Sequence, residues 1–97
     1  DLRNSKILDV CKLLLKNKIN VDAYDPLINK KAIELNFLNL VKYPKKNTYD
    51  CVIISTKHSV FLKMKSKIIH SFCNKDGFIY DLKYMLSKKE DKNYFRL

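Results

Sequence analysis

A chain of 97 residues that is 46% hydrophobic has room for one domain with a modest core, and its single glycine and two prolines exclude collagen-like sequence and long low-complexity linkers. The formal charge of +10 points toward an anionic partner: phosphate, nucleic acid or a membrane surface. Of the 20 basic residues only Arg3 and Arg96 are arginine, the residue that specific nucleic-acid readers favour for its bidentate geometry, and the abundance of lysine, asparagine and isoleucine fits a codon bias toward A and T.

The first element is a helix over residues 5–17. Ile7, Leu8, Cys11, Leu14 and Leu15 recur at spacings of three and four, Asn4 or Ser5 can cap the start, and Lys12, Lys16 and Lys18 crowd the end that the helix dipole makes negative. Residues 19–24 alternate apolar and polar side chains until Asp25 and Pro26 stop them, which predicts a strand ending in a loop. Asn29 can cap a short helix over residues 30–35, residues 37–41 read as a weak strand, and residues 44–47 as a polar turn. The run from Tyr49 to Ser55 is short, apolar and rich in β-branched residues, as in a buried strand of a parallel sheet. Phe61, Met64, Ile68, Ile69 and Phe72 form a second helical stripe, closed by residues 74–77 with Gly77 at a cap or turn. Residues 78–82 read as the last strand, and the charged tail over residues 87–91 as solvated.

This order predicts an α/β layer fold with a mostly parallel sheet. In a doubly wound sheet the strand ahead of the first helix is usually central. The chain opens on a helix, so a sheet lacking that strand, and a segment of a longer protein, are expected.

With Gly77 the only glycine, neither a GxGxxG dinucleotide loop nor a P-loop can be built from this chain. No metal-ligand spacing and no nucleophile elbow occur, so no catalytic residue or metal ligand is assigned. His58 reads first as a polar loop residue and second as a group near a ligand; His70 reads as a helix-surface or partly buried residue. Cys11 and Cys51 read as small core residues, and Cys73 as the most exposed of the three thiols. An odd cysteine count without CxxC fits reduced thiols in the cytoplasm. No signal peptide precedes the first helix, and no apolar run approaches the roughly 20 residues that span a bilayer. Aromatic residues beside basic ones, as at Lys83-Tyr84 and Tyr94-Phe95-Arg96, fit core packing and tail docking better than a stacking platform.

Four segments in order resemble a known family. Residues 1–9 (DLRNSKILD) are similar to the D-x-R-x-S opening of the C-terminal domain of the UDP-glucose and GDP-mannose dehydrogenase family. Residues 21–26 (VDAYDP) resemble its V-x-x-Y-D-P strand end, residues 49–61 (YDCVIISTKHSVF) its Y-D strand with a following histidine, and residues 78–86 (FIYDLKYML) its closing D-x-[KR] strand. The Asn4-Ser5 variant and the D-L-K-Y ending look most like dehydrogenases of UDP-N-acetylhexosamines, UDP-GlcNAc or UDP-GalNAc, that feed polysaccharide synthesis.

The resemblance implies that residues 1–97 are a Rossmann-like, three-layer C-terminal domain that holds the UDP part of the substrate. It also implies partners: a UDP-sugar, and the rest of a parent enzyme that is at least dimeric, with neither specific nucleic acid nor membrane. In such enzymes NAD sits in a separate N-terminal domain. The sugar C6 hydroxyl is oxidised to a carboxylate in two hydride transfers, with a catalytic cysteine whose motif is absent here. Lys83 matches the basic residue of the D-x-[KR] strand that reaches the nucleotide, where a cation offsets diphosphate charge. Arg3 matches the D-x-R position near the domain interface, either binding nucleotide or clamping that interface through an ion pair. Asp81 is expected to orient local backbone or the neighbouring basic group, and Asp25 closes a strand near the edge where ligands collect. Two other readings stay open: a small basic α/β module for RNA or another polyanion, and an interaction domain that keeps the fold without nucleotide affinity.

Overall fold

The computed structural model describes residues 6–27, 35–56, 59–83, 86 and 94–96. They fall into two compact units, Asp1–Pro44 and Lys45–Leu97.

In the first unit, helix α1 spans Ile7–Lys16 and is followed by two short strands, β1 (Asp22–Ala23) and β2 (Asn39–Leu40). The helix forms where the apolar stripe predicts it. Cys11 is its buried residue and packs with Leu35 and Leu38, while Ile7, Leu8, Val21, Ala23, Phe37 and Leu40 flank this core. Leu15, expected on the same face, lies at the exposed margin of the stripe, and Leu13 is 60% exposed. The helix stops in a Schellman motif: Ile19 N–H donates to the Leu14 carbonyl and Lys18 N–H to the Leu15 carbonyl, each at 3.0 Å. Lys18 takes the left-handed conformation this geometry needs, with φ 63°. The N-cap position of α1 is Lys6, which makes no side-chain cap bond; the expected caps Asn4 and Ser5 and the short helix expected from residue 30 lie outside the described residues, save for Leu35 at its end.

Strands β1 and β2 run parallel with Asp22 opposite Asn39 and Ala23 opposite Leu40. Both are shorter than the alternation suggests, because pairing covers only these two rungs. Val41 N–H adds a bond to the Ala23 carbonyl at 2.9 Å, and Asn39 Nδ2 donates to Asp22 Oδ1 at 2.7 Å.

The second unit holds β3 (Tyr49–Ile54), α2 (Ser59–Lys63), α3 (Ser66–His70), β4 (Cys73–Asp81) and β5 (Tyr94–Arg96). Its sheet has the order β3-β4-β5, and both pairings are parallel. Three expectations are corrected here. The helical stripe through residues 61–72 is two helices, because Lys65 is extended (φ −68°, ψ 145°). The break has a packing reason. Met64 and Ile69 both pack in one core cluster, yet residues five apart on one straight helix point about 140° apart.

Gly77 is not a helix cap but a buried residue inside β4. The register steps from Tyr49 opposite Cys73 to Cys51 opposite Phe78, so the segment from Asn74 to Gly77 bulges out of the ladder. Asn74 Oδ1 accepts the Asp76 N–H at 3.2 Å, and Asn74 Nδ2 donates to Asp50. The segment 78–82 is also not the last strand: β4 begins at Cys73, and β5 follows it in space and sequence.

Inward residues of this unit are Ile54, Ile69, Cys73, Ile79 and Leu86, with Val52, Met64 and Tyr94 packed against them. Period-two alternation then places Phe78 and Tyr80 on the opposite face of β4, where the Phe78 and Phe95 rings meet edge to face at 5.5 Å. The charged tail over residues 87–91 lies outside the described residues.

Candidate functional site

Parallel strands bring their carboxyl ends to one edge, where open α/β folds collect ligands. In the second unit that edge is set by register: Ile54 of β3 lies opposite Asp81, and Asp81 opposite Arg96. Beyond Ile54 come Ser55 and Thr56, both half-buried; beyond Asp81 come Leu82 and the exposed Lys83. Leu82 N–H donates to the Ile54 carbonyl at 3.0 Å and continues the ladder into the turn.

Asp81 is 0% exposed, a carboxylate in the core at the mouth of this edge. Such a group has to be hydrogen-bonded. Its Oδ1 accepts the Lys83 N–H at 3.2 Å, and its Oδ2 accepts the Leu86 N–H at 2.9 Å and the Tyr94 hydroxyl at 2.5 Å. Among the described residues no buried side-chain polar atom lacks a hydrogen-bond partner. The expectation that Asp81 organises local backbone is met, and its reach is longer than expected, since Tyr94 arrives from β5. Tyr94 was read as core packing or tail docking, and its strand and its bond to Asp81 were not legible: a three-residue strand shows no periodicity, and a parallel partner has no hairpin signal.

Lys83 therefore leaves a turn whose amide is fixed while its side chain is in solvent. Arg3 and His58 lie outside the described residues. In the first unit, Asp25 follows β1 half-buried, and its Oδ1 accepts the Leu27 N–H at 2.9 Å across Pro26, a local turn bond. The Tyr24 and Tyr43 rings meet edge to face at 5.6 Å. His70 is half-buried at the end of α3.

The thiols correct one expectation. Cys73 is buried at 8% exposure in the core of the second unit, its Sγ 3.7 Å from the Phe78 carbonyl oxygen, and Cys51 is the more exposed of the two on that sheet. The cause is the first rung of β4, which turns Cys73 inward. Burial raises the Cys51 thiol pKa, with the neighbouring Cys73 adding to it, and burial raises that of Cys11. None of the three is in a disulfide, and the raised thiols of Cys11 and Cys51 are poor nucleophiles. Among the described residues no cluster of three or more His, Cys, Asp or Glu is placed to hold a metal ion, and no helix is long and apolar enough to cross a membrane.

A unit of parallel strands and helices of this kind is an α/β, Rossmann-like fold. The chain belongs to the UDP-glucose/GDP-mannose dehydrogenase family, whose UDP binding domain it matches over residues 1–88. It is 35% identical over 98 aligned positions to the UDP-N-acetyl-D-glucosamine 6-dehydrogenase of Pseudomonas aeruginosa, covering all of this chain and 23% of that protein. It is 33% identical over 91 positions to the Salmonella typhi protein of the same name, covering 93% of this chain and 21% of that one. The chain thus spans less than a quarter of the length of these relatives. No solved structure matches it.

Proposed function

We propose that this chain is the domain that holds the UDP moiety in an NAD-dependent UDP-sugar 6-dehydrogenase, an enzyme that oxidises the sugar C6 hydroxyl to a carboxylate for surface polysaccharide synthesis. The observation that carries this reading is the match to a UDP binding domain over residues 1–88. The names of the two relatives favour UDP-N-acetyl-D-glucosamine as the sugar nucleotide.

In this reading the chain binds and orients, and other segments of the parent protein perform the redox chemistry. Lys83 offers an ammonium group to the diphosphate from the carboxyl edge of β4, and Asp81 holds the turn it leaves from. Arg3 contributes either a second cation or an interdomain ion pair. The residues here do not fit NAD: the one glycine sits in the β4 bulge, and the chain has no glycine-rich loop to let backbone approach a pyrophosphate. The cofactor belongs to another domain of the parent, which we take to be a dimer or larger assembly in the cytoplasm. Three cysteines outside any disulfide support that compartment.

Calorimetry of the full-length protein with UDP tests the reading. Saturable binding is expected, and Lys83→Ala should weaken it about ten-fold or more, the loss of one charge-assisted contact to phosphate. Binding unchanged by Lys83→Ala would remove Lys83 from the site. No binding at millimolar UDP would reject the domain's role.

A further inference from the structure

We infer that Tyr94 is a positioning residue for the nucleotide site, acting through Asp81 to pre-order the turn that presents Lys83; this rests on the reading that Lys83 meets the diphosphate. Tyr94 lies on β5, beyond residues 1–88 that match the family's domain. The register Ile79 opposite Tyr94 puts its side chain on the core face of the sheet that Asp81 shares. From there its hydroxyl donates to Asp81 Oδ2 at 2.5 Å and lies 3.3 Å from the Leu86 carbonyl oxygen.

The turn after β4 is held at two points by one carboxylate. The Lys83 amide is tied to Oδ1, and the Leu86 amide to Oδ2. The orientation of the Asp81 side chain thus sets where both ends of the turn sit. The Lys83 and Leu86 amides belong to the turn itself and would follow it if it moved. The Tyr94 hydroxyl belongs to a different strand, so it references the carboxylate to the sheet. Removing it takes from a buried carboxylate the donor that β5 supplies, which favours rotation of the group and loosening of the turn. A cation on a pre-ordered backbone loses less freedom on meeting phosphate than one on a mobile turn.

The test compares Tyr94→Phe, Lys83→Ala and the double variant in the full-length protein, with UDP-N-acetyl-D-glucosamine and NAD as substrates. Tyr94→Phe should raise KM for the sugar nucleotide on the order of five-fold, the worth of roughly one hydrogen bond. The value of kcat should stay within about two-fold, and KM for NAD should not change, because the interaction concerns binding alone. The double variant should bind no worse than Lys83→Ala, since Tyr94 acts through that lysine.

If Lys83→Ala raises KM and Tyr94→Phe does not, or if the two effects add, the positioning role is overturned while the site stands. If Lys83→Ala itself leaves KM unchanged, the site reading fails and the inference falls with it. Hydrogen exchange on the unsubstituted protein gives an independent check. Slow exchange of the Lys83 and Leu86 amides before UDP is added supports pre-ordering, and fast exchange that slows only with UDP overturns it.

Discussion

Gly77 shows how much a single missing Cβ can matter. A methyl group there would sit 2.5 Å from the Tyr49 carbonyl oxygen and 2.9 Å from the Cys73 Cβ. Its φ is not in the left-handed region, so the requirement is space rather than backbone freedom. Both obstacles are held by the β3–β4 ladder and cannot swing away as a side-chain tip can. Gly77→Ala should therefore destabilise by about 1–3 kcal/mol, read as a lower urea midpoint; an unchanged midpoint would mean that the bulge yields freely. The thiols give a pH-dependent prediction. Cys51 is raised from an ordinary value of 9.0 first by burial and then by Cys73, and Cys11 by burial. The folded protein thus keeps protons that the unfolded chain releases. The stability from these protonated thiols is complete below the ordinary thiol range and declines as pH rises through the folded values. At pH 8.5 iodoacetamide should label Cys11 and Cys51 much more slowly in the folded protein than in urea. Equal rates would show that the thiols are not shielded. Cys11 was legible as a core residue through its place on the apolar face of α1. Cys51 and Cys73 were ranked in the wrong order of exposure, because that order depends on the register of β4.

At the scale of elements, α1 was legible because its stripe and its terminal lysines agree. Its C-terminal signal was incomplete: a Schellman turn usually has glycine where Lys18 stands with φ 63°. Lys18→Gly should relieve this strain and raise stability by about 0.5–1 kcal/mol, visible as a higher thermal midpoint. A lower midpoint would mean that the lysine side chain contributes more than its backbone costs. The two-helix segment after β3 was not legible. Its residues fit one helical period well enough, and only the shared packing of Met64 and Ile69 reveals the break at Lys65. The β5 strand was hidden for a similar reason, since its three residues acquire meaning from Ile79, Tyr80 and Asp81 beside them. Of the candidate site, Lys83 was singled out by resemblance to the family's D-x-[KR] strand and Asp81 beside it, whereas the bond from Tyr94 required a contact across the sheet.

At the scale of the molecule, α/β class and parallel pairing were legible from the alternation of short apolar runs with helical stripes, and every strand pair among the described residues is parallel. Charge was the least informative total: +10 suggested a polyanion partner, while the family model that matches is a UDP binding domain. The parallel pairing also bears on how the chain reaches its fold. None of these strand pairs is a hairpin, so no tight turn can nucleate a ladder. Asp22 must find Asn39, Tyr49 must find Cys73, and Ile79 must find Tyr94, each across an intervening stretch of chain. The entropy of closing these loops precedes any reward from pairing, which places the sheet late in the folding reaction and slows the search. During that interval the apolar run of β3 is unpaired, and the high positive charge acquires a second use: repulsion between chains discourages association while the ladder is still open.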